Sequence, residues 1–167
     1  PPSTNTPTFV SSGTPTQAVP RRVAFDAAER ACVVACDGVP GTLRWFAEQD
    51  GQLVLKHTFV AAEGTECTAL CCFTSDGKGY CVLGTAEYQQ QDSDEQQPSR
   101  GKVCVLCKDS LGEARVCMER ELAGAVSSVA VTPTTADTLS RVLICATVGH
   151  TVVLLRARER DGAAALR

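Results

Sequence analysis

The chain has 167 residues, 44% of them hydrophobic and 21% charged, with a formal net charge of -3. This is the make-up of one ordinary folded domain, which excludes a disordered or fibrous chain, and its scattered Lys and Arg lack the basic stripe of a dedicated nucleic-acid binder. No apolar run reaches the roughly 18 to 20 residues that a membrane-spanning helix needs.

Residues 1–19 carry Pro1, Pro2, Pro7 and Pro15 among Ser, Thr and Asn. Such a stretch buries too little apolar surface to order itself, so it reads as a flexible linker or loop remnant. It has neither an initiator Met nor the apolar centre of a signal peptide. The expectation is a chain that starts inside a longer polypeptide.

From residue 20 the texture changes to short apolar or alternating runs bounded by Gly, Pro, Asp and Asn, the signature of strands and turns. The predicted strands are Arg22–Phe25, Ala31–Cys36, Thr42–Ala47 and Leu53–Phe59, then Cys67–Thr74, Tyr80–Ala86, Lys102–Cys107 and Ala114–Arg120. The last are Val126–Val131, Arg141–Ala146 and Thr151–Arg156. Helices are disfavoured because the runs are short, rich in Val, Cys and Thr, and joined by tight turns at Asp50-Gly51, Asp76-Gly77 and Val148-Gly149-His150. Only Asp26–Arg30 and Glu159–Leu166 are left as places for a helical turn, the terminal segment 158–167 being either a short helix or the next connection. The hydrophilic run YQQQDSDEQQPSR, from Tyr88 to Arg100, reads as a solvated hairpin loop.

Four strands, four strands and three strands form groups at 20–62, 66–122 and 125–157. A rhythm of roughly 45 to 60 residues per group is how β-propeller blades with long loops are written. The fold class expected is therefore all-β: about three WD-like antiparallel blades, part of a larger, seven-bladed propeller. An eleven-stranded β-sandwich is the alternative. Three blades do not close a ring, so their apolar edges need further blades or partner surfaces.

The ten cysteines mostly sit inside apolar runs, where a free thiol serves as a small hydrophobe. Reduced, buried cysteines are expected rather than a disulfide framework. Cys104 and Cys107 form a CxxC, but residues i and i+3 of a strand face opposite ways and cannot share a metal; the same holds for the adjacent Cys71 and Cys72. Cys32 and Cys36 share a face about 13 Å apart. No phosphate loop, nucleophile elbow or zinc-protease motif is present. His57 reads as a strand histidine, and Asp92, Asp94 and Glu95 as solvating carboxylates. Neither a cofactor nor a metal nor catalysis is expected. A cysteine-dependent redox or metal-binding protein stays open as a reading from a different class, motivated by cysteine number alone. Trp45, the one Trp, reads as core before it reads as an interface anchor.

Five short segments carry a resemblance, in family order along the chain. GYCVLGTA from Gly79 to Ala86 is followed by the acidic loop and then SRGKV from Ser99 to Val103. ERELAGAV from Glu119 to Val126 leads into the third group. PRRVAF from Pro20 to Phe25 and DGQL from Asp50 precede both. Over residues 20–157 this resembles the family of large propeller subunits found in the UV-damaged-DNA-binding protein, in cleavage-and-polyadenylation factors and in splicing factors. The short stretch between Val39 and Gly51 and the many cysteines depart from the family pattern. The resemblance, nearest to the damaged-DNA-binding subunit, implies a nuclear and cytoplasmic adaptor with a role in DNA damage repair. Such an adaptor docks WD-repeat substrate receptors onto a cullin-4 ubiquitin ligase and meets nucleic acid only through partners, with no membrane and no small-molecule substrate. It implies a partner-binding surface at Ala86, Glu87, Tyr88, Gln89 and Asp92. The alternative within the family is a scaffold for pre-mRNA cleavage, polyadenylation or splicing.

Overall fold

A computed structural model describes residues 19–38, 40–88, 100–108, 112–160 and 163–167. The architecture is all-β, and each of the eleven expected strands overlaps an observed one. The first four are β1 (Pro20–Asp26), β2 (Ala31–Cys36), β3 (Thr42–Gln49) and β4 (Gln52–Val60). The next four are β5 (Thr65–Ser75), β6 (Lys78–Glu87), β7 (Gly101–Lys108) and β8 (Ala114–Leu122). After β9 (Val126–Thr132) and the two-residue β10 (Thr135–Ala136) come β11 (Leu143–Val148), β12 (Thr151–Arg160) and β13 (Ala163–Leu166).

Turn chemistry explains the hairpins. Asp50 and Gly51 (φ 52° and 77°) join β3 to β4, and Asp76 and Gly77 (φ 49° and 69°) join β5 to β6. Two successive positive φ values make the type I′ turn, whose twist matches that of the strands it connects. Gly149 (φ 56°) opens the turn between β11 and β12 with a positive φ at the first central position alone, the II′ pattern.

The strands form three sheets, ordered β1-β2-β3-β4, β10-β5-β6-β7-β8 and β13-β12-β11-β9. All pairings are antiparallel except β10, which lies parallel to β5. Through β10 the chain of the third sheet reaches back to cover the free edge of the second. The sheets stack face to face, and the middle one has apolar side chains on both sides. Val33, Leu43 and Trp45 of the first sheet pack on Cys81, Leu83 and Leu106 of the second. The opposite face, with Phe73, Val82, Val105 and Met118, packs on Val126, Ile144, Ala146 and Leu155 of the third. Trp45 is therefore core, 2% exposed.

Alternation places the cysteines as the strand period requires. Cys72 and Cys104 face the first sheet, whereas Cys71 and Cys107 face the third. All ten are free thiols.

Two expectations of helix give way to strand and turn. β1 continues through Asp26, and the following turn ends at Arg30 with φ 51°. At the C-terminus, β12 continues to Arg160 and pairs with β13, Ala157 opposite Leu166. The Ala-rich sequence there favours helix, but pairing with β12 supplies hydrogen bonds and a burial site for Leu166, 3% exposed. β10 and the 3-10 turn Leu139–Arg141 were not anticipated. The two residues of β10 are too few to carry a pattern and are held by a distant strand. Among the described residues no α-helix is present, no helix is long and apolar enough to cross a membrane, and the sheets do not close on themselves.

Candidate functional site

The first strands of the three sheets, β1, β5 and β9, lie side by side, and their N-terminal ends converge. The Arg22 guanidinium donates to the Thr68 carbonyl at 3.2 Å, and the Thr68 hydroxyl donates to the Val126 carbonyl at 2.5 Å. These side chains tie three sheets at one end where no backbone ladder can. A depression of about 350 Å³ opens beside them.

Both signs of charge border it. Arg21 forms an ion pair with Asp37. On the other side the Tyr88 phenol donates to the Glu66 carboxylate at 2.6 Å. That hydrogen bond, followed by burial and the Glu66 charge, pushes the Tyr88 phenol up to about 12. Tyr88 is also fixed through its backbone, the amide donating to the Gly64 carbonyl at 2.9 Å. The depression is thus bordered by an aromatic ring held at both its phenol and its backbone and by paired charges of both signs.

No known family model matches this chain. No curated protein matches it in sequence either.

Of the five residues singled out from sequence, Ala86 and Tyr88 line this depression. Ala86 stands opposite Glu66 in the ladder and is buried, 1% exposed, so it presents no side-chain surface of its own. Glu87 is half-buried and lies 3.4 Å from Lys102. Gln89 and Asp92 fall outside the described residues, as do Asp94 and Glu95. Sequence reasoning missed Arg21, Arg22, Asp37 and Glu66. Counting the β5–β6 hairpin outward from Asp76-Gly77 would have brought Glu66 to within one residue of its observed partner. The bulge between Cys67 and Ala69 supplies the shift.

His57 is half-buried on β4; burial, and then the nearby Lys108, lower its pKa. Among the described residues no group of three or more His, Cys, Asp or Glu converges as a metal site would require.

Proposed function

We propose that the chain is a run of successive β-propeller blades acting as a protein-interaction scaffold, with the depression at the starts of β1, β5 and β9 as a docking point. The observation that carries the reading is the stacking itself. Each sheet presents its first strand to the first strand of the next, which is the relation of neighbouring blades around a propeller axis. The outer faces support it as well: Val23 and Phe25 on the first sheet are 69% and 63% exposed, and Val152 and Leu154 on the third are 61% and 66% exposed. Apolar faces at both ends of a stack are what further blades would cover. The resemblance to the large propeller subunits of the damaged-DNA-binding protein and of RNA-processing factors points the same way. Within it, the reading favoured is the adaptor that joins WD-repeat substrate receptors to a cullin-4 ubiquitin ligase in the nucleus and cytoplasm, and that serves DNA damage repair.

The test is affinity capture of the intact protein from its own cells, read by mass spectrometry, beside an Arg22→Glu, Tyr88→Ala variant. Recovery of a cullin and several WD-repeat receptors, with the receptors depleted in the variant, is expected. Recovery of polyadenylation or splicing subunits would move the scaffold to RNA processing. A variant that retains every partner would remove the depression as the docking point.

A further inference from the structure

Cys72 on β5 and Cys81 on β6 stand directly opposite each other in the ladder, with their sulfurs 3.2 Å apart. This juxtaposition follows from the turn. In a two-residue hairpin the pair flanking the turn, here Ser75 and Lys78, is hydrogen-bonded, and pairs alternate outward from it. Thr74 and Gly79 are then a non-hydrogen-bonded pair, Phe73 and Tyr80 a bonded one, and Cys72 and Cys81 again non-bonded. Non-hydrogen-bonded positions bring Cα atoms to about 4.5 Å and side chains closest together. That separation lies within the Cα range a disulfide spans. The sulfurs need to approach by roughly 1.2 Å to reach bonding length.

One other thiol pair is close: Cys117 hydrogen-bonds with Cys107 and also donates to the Val105 carbonyl at 3.2 Å, but Cys107 stands opposite Arg115 in the ladder, so these two are not directly opposed as Cys72 and Cys81 are. Cys72 is partly exposed whereas Cys81 is buried, 2% exposed. Cys72, packed at the margin of the first core, is thus the less enclosed of the two.

We propose that Cys72 and Cys81 are an oxidative modification site that hydrogen peroxide closes to a cross-strand disulfide. The Cys72 thiolate attacks one peroxide oxygen; an S–O bond forms, the O–O bond breaks, and hydroxide leaves and takes a proton as water. Deprotonated Cys81 then attacks the Cys72 sulfur; the S–S bond forms, the S–O bond breaks, and the second oxygen leaves as water. Two thiols lose two protons and two electrons, and one peroxide becomes two waters. The first step is slow at neutral pH. The hydrogen bond to Cys81 and then burial hold the Cys72 proton on, and the nearby Asp26 carboxylate adds to this. Only the thiolate reacts, so closure accelerates about tenfold per pH unit below the thiol pKa.

Trypsin provides a direct readout, since Lys78 lies between the two cysteines. His57–Lys78 carries Cys67, Cys71 and Cys72, and Gly79–Arg100 carries Cys81 alone. The folded protein is treated with graded peroxide, free thiols are blocked, and the digest is examined by fragmentation mass spectrometry. A linked pair of these two peptides is expected, with the bridge at Cys72. It should persist in Cys71→Ser, disappear in Cys72→Ser, and revert with dithiothreitol. Parallel urea denaturation establishes that both variants are folded. Cys81 joined to Cys67 or Cys71, linkage that survives Cys72→Ser, or linkage at Cys107–Cys117 while Cys72 and Cys81 remain free would each overturn the assignment.

Discussion

Gly101 opens β7 at a point where three backbone atoms crowd in. A Cβ there would sit 2.4 Å from the Thr85 carbonyl oxygen, 2.6 Å from that of Gly124 and 3.0 Å from the Val126 amide nitrogen. None of these belongs to a side chain that can rotate away. Gly101→Ala must part β7 from β6, or push the start of β9 off the middle sheet. Overpacking costs about 1 to 3 kcal/mol, and with only backbone to yield the expected loss is about 3 kcal/mol. At a urea slope of about 2 kcal/mol/M this lowers the midpoint by about 1.5 M. The assay is urea denaturation followed by Trp45 fluorescence and far-ultraviolet circular dichroism together, so that a coincident transition is verified. Gly77→Ala separates sterics from backbone conformation: no atom lies within 4 Å of its Cβ, but φ is +69°, so about 1 kcal/mol is expected from the left-handed backbone alone. Equal midpoints for Gly101→Ala and the wild type would refute the packing of β7 between β6 and the β8–β9 connection.

Other consequences are open to measurement. Gly84→Ala places a Cβ 2.6 Å from Val126 Cγ1, so combining it with Val126→Ala should cost less than the sum of the two singly. A double-mutant cycle with additive losses would deny that contact. Trp45→Ala empties a buried site between the first two sheets and should cost about 3 to 5 kcal/mol by urea denaturation. Burial raises the Asp26 pKa, and a raised carboxyl pKa stabilises the fold below the unfolded value and loses that contribution as pH rises through the folded one. Asp26→Asn keeps the acceptor for the Glu29 amide, 3.2 Å away. It should therefore be more stable than wild type at neutral pH and lose that advantage as the solution is acidified; a constant difference across pH would refute the buried charge. The Tyr88 phenol, raised to about 12 by Glu66, stabilises the fold fully below its unfolded pKa of about 10 and loses that contribution above it. Ultraviolet titration should show Glu66→Gln bringing Tyr88 ionisation back toward the ordinary range.

The hairpins were legible because their turns declare themselves. Asp50-Gly51 and Asp76-Gly77 fix both the bend and the register, and Ala31–Cys36 was bounded to the residue. The grouping of strands into three sheets was legible as well, since each sheet is local in sequence apart from β10. β13 was not, because its three alanines carry no strand propensity and its partner on β12 supplies the reason to pair. Most of the site was illegible for a related cause. Arg22, Thr68 and Val126 come together through the packing of separate sheets, and no spacing in the chain encodes which hydroxyl meets which carbonyl. Cys72 and Cys81, by contrast, could be paired by counting from the turn, once the hairpin is taken as a ladder instead of two apolar runs.

The middle sheet contributes to both hydrophobic cores, while each outer sheet contributes to one. Coupling of this kind is nearest-neighbour, as in linear repeat arrays, where stability is intrinsic unit terms plus interface terms. Loss of an outer sheet removes one interface; loss of the middle sheet removes both. Local opening should accordingly start from the ends, at β4 and β13, and reach β6 last. The amides of Val82 and Leu83 then exchange only in molecules that have unfolded throughout, and Cys81, their neighbour in β6, lies in the last strand to come apart.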